Sequence, residues 1–293
     1  MNYEITGSTG LTALLGSPVA HSISPQMHNE AFRQLGLDYV YLAFDITPGQ
    51  LKETFLGLKA LNIRGFNLTM PLKTEIISYL DGLTPAARLA GAVNTVYRQD
   101  SCYIGHTTDG IGYMRSISDA GHQIIGKKMT LLGAGGAATA ICVQAALDGV
   151  AAIDMFRRKN TAFGKTAEFC EKVSAETSCP IRLFDLADTH QLSCSIAESA
   201  VLTNATNVGM APDSQRSLLP DVSFLHPNLL VSDIIYNPRQ TLLMRQAQEA
   251  GCKCINGLYM LLFQGAAAFR CWTGQDMPVE VIRKKYFTDE RTN

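Results

Sequence analysis

The feature that most constrains this chain is a glycine turn, Gly133-Ala134-Gly135-Gly136-Ala137-Ala138, set between two apolar stretches. Met129 to Leu132 reads as a buried strand and Ala137 to Leu147 as an alanine-rich helix, so the turn passes directly from strand to helix. In that setting G-x-G-x-x-A is the alanine variant of the dinucleotide fingerprint. Its glycines permit a tight turn and close approach of a pyrophosphate, whose charge then sits on free N–H groups at a helix N-terminus. The pattern alone is weak, but its place between strand and helix puts nucleotide binding ahead of a purely structural turn.

The periodicity on either side extends this to a fold. Ala151 to Phe156 reads as the next strand, with further strands at Ile181 to Leu183, Val201 to Asn204 and Leu230 to Asp233, which predicts a Rossmann-like NAD(P)-binding domain over residues 117–255. Upstream, Leu11 to Leu15, Tyr39 to Phe44 and Gly65 to Leu68 read as strands. Pro25 to Leu35, Leu51 to Leu61, Lys73 to Leu80 and Tyr113 to Ala120 read as helices. That β-α-β-α order predicts an α/β fold throughout, with a substrate-binding and catalytic domain over residues 1–116 built on a mainly parallel sheet. The last helix, Leu258 to Trp272, comes after the Rossmann strands are used up, so residues 256–293 are expected to return and complete the first domain. A cleft between the domains is the expected active site.

Composition narrows the partners. With 25 basic and 26 acidic side chains and a net charge of −1, no charge excess exists to bind a nucleic-acid backbone or an anionic membrane. No apolar run approaches the ~20 residues of a membrane span, and Met1-Asn2-Tyr3-Glu4 lacks a secretory pattern, so the expected location is cytoplasmic. The eight cysteines include no C-x-x-C pair and the six histidines no H-x-x-x-H pair, so reduced thiols and no metal are expected.

Cofactor choice depends on the end of the second Rossmann strand. Counting about 20 residues from the first glycine reaches Asp154, but this acid lies inside the apolar run, whereas the strand ends at Arg157-Arg158-Lys159-Asn160. Three consecutive cations suit a 2′-phosphate, which favours NADP and leaves NAD open. A solvated basic turn accounts for the same residues.

Four segments carry polar residues that helix and strand propensity do not require: Ser22-Ile23-Ser24-Pro25, Asn67 to Lys73, Asn94-Thr95 and Thr108-Asp109-Gly110. Singly each has a plain explanation. Ser24 before Pro25 is a good N-cap, Asn94 and Asp109-Gly110 suit turns, and Lys73 suits an exposed helix start. Together they supply hydroxyls, amides, an ammonium and a carboxylate, the inventory for holding a small polyhydroxylated acid. A Lys73–Asp109 pair could orient and shuttle one proton during hydride transfer from a carbinol.

At this point the chain resembles the shikimate dehydrogenases, and within them the quinate/shikimate dehydrogenase branch. The resemblance runs nearly the whole length through PVAHSISP (Pro18 to Pro25), NLTMPLK (Asn67 to Lys73), GAVNT (Gly91 to Thr95), GHTTDGIG (Gly105 to Gly112), the glycine turn, TNATNVGM (Thr203 to Met210), IYNP (Ile235 to Pro238) and GLYMLLFQ (Gly257 to Gln264). It implies reversible, NADP- or NAD-dependent oxidation of shikimate to 3-dehydroshikimate, or of quinate to 3-dehydroquinate, in aromatic amino-acid biosynthesis or quinate/shikimate metabolism. By that resemblance Ser22 and Ser24 hold the substrate carboxylate, Thr69, Asn94 and Gln264 contact ring hydroxyls, Lys73 and Asp109 are the catalytic pair, and Tyr236 flanks the ring. Gly133, Ala134, Gly135, Gly136, Ala137, Arg157, Arg158, Lys159, Asn160, Asn207, Ile234, Ile235, Tyr236, Asn237 and Gly257 line the cofactor. Part of the family also implies a homodimer.

Several positions depart from the family pattern. Thr107, preceded by His106, stands where asparagine usually precedes Thr-Asp-Gly, Arg157 where asparagine opens the ribose loop, Asn160 where an acid sometimes follows the arginines, and Asn207 where the quinate/shikimate branch carries lysine. Two rival readings remain. Another lysine-dependent Rossmann oxidoreductase, such as a methylenetetrahydrofolate dehydrogenase, would not need the Ser22/Ser24 pair, and a catalytically silent metabolite or nucleotide sensor would not need both Lys73 and Asp109.

Overall fold

The alternation of short apolar runs with amphipathic stretches folds into two six-stranded sheets. The structure is a computed structural model that describes residues 4–287. It divides into two compact units, one comprising the described residues up to Thr108 and from Leu262 onward, the other Asp109–Leu261.

The first unit contains β1 (Gly10–Gly16), α1 (Ser24–Leu35), β2 (Tyr39–Asp45), α2 (Leu51–Ala60), β3 (Gly65–Leu68), β4 (Gly82–Leu83), α3 (Pro85–Ala90), β5 (Thr95–Gln99) and β6 (Cys102–His106). Strand order is β2-β1-β3-β5-β6-β4. β1 pairs in parallel with β2 and β3, but β3–β5 and β5–β6 are antiparallel. The β5–β6 hairpin was not foreseen from sequence, because its turn at Asp100 uses a positive φ of 55° without a glycine to advertise it. The expected helix over Lys73 to Leu80 is instead a turn followed by a short 3₁₀ segment, Glu75–Tyr79, which leaves Lys73 on the turn.

The second unit runs α4 (Asp109–Asp119), β7 (Lys128–Leu132), α5 (Gly136–Leu147), β8 (Ala152–Arg157), α6 (Phe163–Thr177), β9 (Ile181–Asp185), α7 (Thr189–Glu198), β10 (Val201–Asn204), β11 (Leu230–Asp233), α8 (Leu242–Glu249) and β12 (Lys253–Asn256). Its sheet is parallel throughout, in the order β12-β11-β10-β7-β8-β9. This is a Rossmann-type arrangement, with the order reversing at β7, the strand that leads into the glycine turn. α4 starts at Asp109, ahead of the Tyr113 expected from periodicity. Asp109-Gly110 is therefore a helix start and not a turn.

α9 (Leu258–Thr273) crosses from one unit to the other along its length, and α10 (Val279–Tyr286) follows it. Within the first unit α9 packs on α1 through rings. Phe32 and Phe269 lie 5.1 Å apart between centroids, and the Trp272 indole donates to the Val96 carbonyl at 3.0 Å. Full burial of each such ring contributes roughly 1.5–3 kcal/mol, enough to hold this part of the chain to the sheet despite its distance in sequence. Among the described residues all eight cysteines are free thiols, no group of His, Cys, Asp or Glu side chains is placed to hold a metal, and no helix is long and apolar enough to cross a membrane.

Asp154 is completely buried in β8, where it pairs with Arg182 at 2.7 Å and Lys128 at 2.8 Å and accepts from the Ser195 hydroxyl at 2.8 Å. Burial alone would raise its carboxyl, but these three partners outweigh burial and hold it below the usual carboxylate range. Asp154→Ala should destabilise the fold by about 3 kcal/mol, because two cations lose a shared buried anion. Since the folded-state value is depressed, the wild-type contribution should be present above pH ~4 and disappear as pH falls through the folded value. Thermal melts of wild type and variant across acid pH should therefore converge at the low end.

Candidate active site

In the first unit the polar segments meet around Asn94, which is buried after α3 and just before β5. Its Oδ1 accepts from the Thr108 backbone N–H at 2.7 Å, and its Nδ2 donates to Thr108 Oγ1 at 3.0 Å and to Gln264 Oε1 at 3.3 Å. Thr95 Oγ1 lies 3.2 Å from Asn94 Oδ1 and 3.0 Å from Thr108 Oγ1. Gln264, on α9, thus meets side chains of this cluster through its Oε1, and Asn94 is a buried hub and not a turn residue. Asn67 joins the same cluster from β3, donating to the Asn94 carbonyl at 3.1 Å and to Thr95 Oγ1 at 3.0 Å. Sequence reading included Asn67 in a polar segment without giving it a role.

The Lys73 turn is tied to this hub through the backbone: the Val93 N–H donates to the Lys73 carbonyl at 2.8 Å. Lys73 is half-buried, unlike the exposed helix-start lysine its neighbours suggest, and Thr69 is half-buried beside the end of β3. At α1 the N-cap is Ile23, not Ser24, and no side chain caps it. Ser22 Oγ instead accepts the Ser24 N–H at 3.2 Å, and the buried Ser24 hydroxyl turns inward to act on the Tyr41 phenol. His106, one of the departures from the family pattern, bonds through Nδ1 with Thr84 Oγ1 at 2.9 Å, the same hydroxyl that caps α3. Burial pushes the His106 imidazole below its ordinary value.

In the second unit Asp109 is buried as the first residue of α4. Gly133 follows β7 directly with φ +112°, and a Cβ there would meet the Ala205 carbonyl at 2.8 Å, so both conformation and space call for glycine. Nothing lies within 4 Å of where a Cβ would stand on Gly135 or Gly136. α5 then starts at Gly136 without a side-chain cap, leaving its first N–H groups for an anion. Gly133, Ala134, Gly135, Arg157, Arg158, Asn160 and Asn207 line one cavity of about 270 Å³, joined by the apolar Phe156, Leu186, Val208 and Leu218 and by Thr206. Nothing in sequence distinguished Leu186 or Leu218 from ordinary core residues.

The three cations of the loop after β8 differ in their surroundings. Arg157 bonds to Thr166 Oγ1, to the Ala162 carbonyl at 3.2 Å and to Asn160 Oδ1 at 3.0 Å, so its fork shapes the loop. Arg158 is exposed and lines the cavity, while Lys159 is exposed and outside it. Gly136 and Ala137 open α5 without lining the cavity.

Ile234, Ile235, Tyr236 and Asn237 also lie outside that lining, in the loop after β11. The buried Asp233 carboxylate organises this loop, accepting from Thr241 Oγ1 at 2.7 Å, the Ile235 N–H at 3.1 Å and Asn204 Nδ2 at 3.1 Å. Burial pushes its carboxyl up, and those hydrogen bonds oppose the shift. Asn204 Oδ1 in turn holds the Thr206 N–H and hydroxyl, so one buried pair sets the loops after both β10 and β11. Ile235 is buried, and Tyr236 and Asn237 are exposed.

Comparisons with known proteins point to one family, two domain models matching parts of the chain and relatives nearly all of it. The shikimate dehydrogenase substrate-binding domain matches residues 14–96 and the shikimate 5′-dehydrogenase C-terminal domain residues 257–285. A Listeria monocytogenes protein named shikimate dehydrogenase (NADP(+)) is 53% identical over 97% of this chain and 98% of its own length. The chain belongs to the shikimate dehydrogenase family. A Streptococcus uberis protein of the same name is 46% identical over 99% of each chain. The crystal structure of shikimate 5-dehydrogenase from Listeria monocytogenes, in complex with shikimate and NAD, superposes with a TM-score of 0.93 at 53% identity, covering 97% of this chain and 98% of that one.

For this family member the turn into α9 offers a direct check on the backbone. A Cβ on Gly257 would lie 1.8 Å from the Ile234 carbonyl oxygen, so Gly257→Ala must push the α9 start away from the loop after β11. The expected loss is about 1–3 kcal/mol, seen as a fall of several degrees in the thermal midpoint.

Proposed function

We propose that the protein is an NADP-dependent shikimate dehydrogenase that oxidises a ring hydroxyl of shikimate to the 3-dehydro ketone and runs the reverse reduction. The observation that carries this reading is the buried Asn94–Thr108–Gln264 cluster with the Lys73 turn bonded beside it, in a chain of this family. Such a cluster presents fixed amides and hydroxyls to a polyhydroxylated ring while excluding water.

A bound nicotinamide nucleotide supplies the hydride acceptor for the oxidation. The open N–H groups at the start of α5, the glycine turn and the cavity beside Arg158 fit its pyrophosphate and ribose phosphate. The remaining work is proton handling and orientation. As the carbinol hydrogen leaves as hydride, the hydroxyl proton must leave too. Lys73 is assigned to take it and to return it in the reverse direction, with Asp109 as the partner acid. Ser22 and Ser24 are assigned to the ring carboxylate, Thr69, Asn94 and Gln264 to the hydroxyls, and Tyr236 to the flank of the ring. Both Lys73 and Asp109 are retained, which speaks against a silent sensor.

The test is purified protein with shikimate or quinate and NADP or NAD, followed by absorbance of the reduced nucleotide. Turnover with shikimate and NADP is expected, quinate defines the breadth of the site, and no reduction in any of the four mixtures would overturn the assignment. Lys73→Ala should lower kcat by at least ~10²-fold with a smaller change in substrate affinity. Near-normal turnover would reduce Lys73 to a binding role. Arg158→Ala should raise KM for NADP more than for NAD, because a guanidinium reads the 2′-phosphate directly. Equal losses would mean that the arginine does not distinguish the two nucleotides.

A further inference from the structure

Asp109 opens α4, and on a helix the residue four places on lies over the next turn of the same face. Here that residue is Tyr113. α4 buries Asp109, Gly110, Gly112, Tyr113, Ser116 and Ile117, so the acid stands at the head of the buried stripe and not on the solvent side. Tyr113 is 1% exposed, and a phenol so deeply buried needs a polar partner. Its hydroxyl is hydrogen-bonded with Thr203 Oγ1 on β10 at 2.5 Å, and Ser232 on β11 acts on it as well. Burial pushes the phenol above its ordinary value, so it is a neutral hydroxyl at working pH.

Thr203 and Ser232 are register partners on adjacent parallel strands. Each directly precedes one member of the Asn204–Asp233 pair, which sets the loops after β10 and β11. The first of those loops supplies Thr206, Asn207 and Val208 to the cavity beside the glycine turn. The phenol therefore ties α4 to the strand ends that shape this cavity. The first turn of α4 has a second anchor: a Cβ on Gly110 would lie 2.3 Å from the Ala140 carbonyl oxygen and 2.4 Å from Gln144 Cβ. The start of α4 thus lies directly against α5, the helix that opens at the glycine turn.

We propose that Tyr113 is a positioning residue for Asp109, holding α4 on β10 and β11 so that the carboxylate is registered to the strands and helix of the nucleotide site. This rests on the shikimate reading for what Asp109 does, whereas the anchoring concerns only α4 and its neighbours. Tyr113 touches neither substrate nor cofactor in this scheme. Because a helix transmits a shift of one turn to the next, loss of the phenol bond displaces the acid, and small displacements of a proton-transfer group cost rate before affinity.

Tyr113→Phe removes the hydroxyl and keeps the ring. It should lower kcat with shikimate about tenfold while KM for shikimate changes less than about threefold. In an Asp109→Asn background the same change should add less than about twofold, because both substitutions act on one group. Thr203→Val keeps the volume and removes the hydroxyl, and should reproduce the kcat-selective loss. Thr203→Ser keeps the hydroxyl and should retain most of the turnover. This pair leaves Tyr113 in place and serves if Tyr113→Phe does not fold. A role in packing alone would favour Val over Ser and give equal losses in the two backgrounds, and either result, or an unchanged kcat, overturns the proposal. Amide exchange at Met114 is a readout free of catalysis, since an α-helix over Asp109–Asp119 bonds this N–H to the Gly110 carbonyl. Exchange there should quicken in Tyr113→Phe, and unchanged exchange refutes the anchoring. If the wild type fails to turn over shikimate, the functional reading falls, and Met114 exchange alone decides whether the phenol holds α4.

Discussion

A donor that cannot accept and an acceptor that cannot donate organise the first unit of this protein. The Thr108 N–H and the Asn94 carbonyl have no freedom of polarity, and the buried amides around them must comply. Burial makes compliance expensive to evade, since an amide turned the wrong way would place like ends together without water to separate them. Asn94, Gln264 and Asn67 consequently come from three separate stretches of chain yet behave as one oriented surface. Lys73 shares in that order because its turn is bonded to the residue before Asn94.

The second unit solves a parallel problem with charge. Asn204 and Asp233 end adjacent parallel strands and divide their bonds between the two loops that follow, so the cavity wall and the segment around Tyr236 depend on the same pair. Along β8 the two kinds of charged residue take different tasks. Asp154 is consumed by Arg182 and Lys128 in the interior, Arg157 by its own loop, and Arg158 reaches the cavity. Of three adjacent cations in sequence, two therefore line the cavity, Arg157 tied into its loop and Arg158 exposed, and Lys159 stands outside it.

Much of this was legible beforehand. The glycine turn, the strand and helix around it and the parallel strands at Val201–Asn204 and Leu230–Asp233 stand where periodicity put them, because buried parallel strands and alanine-rich helices carry strong local signals. The β5–β6 hairpin lacked a glycine turn, and the run from Lys73 to Leu80 had helical composition but adopted a turn and 3₁₀ segment. In both cases local propensity lost to the shape of the sheet. Ser24 illustrates the same limit in the site. Its sequence neighbours describe a helix cap, yet its hydroxyl faces Tyr41, since burial and the available partner decide where a short side chain points.

The sequence by itself determined the fold class, the family, the glycine turn and the inventory of hydroxyls, amides, ammonium and carboxylate. These follow from residue type and spacing along the chain, which survive without knowledge of contacts. Only the tertiary structure decided which amide end faces which partner, and that Arg157 is tied into its loop at the cavity wall while Arg158 is exposed there. Hydrogen-bond polarity and burial are properties of groups brought together from distant segments, and no local pattern encodes them.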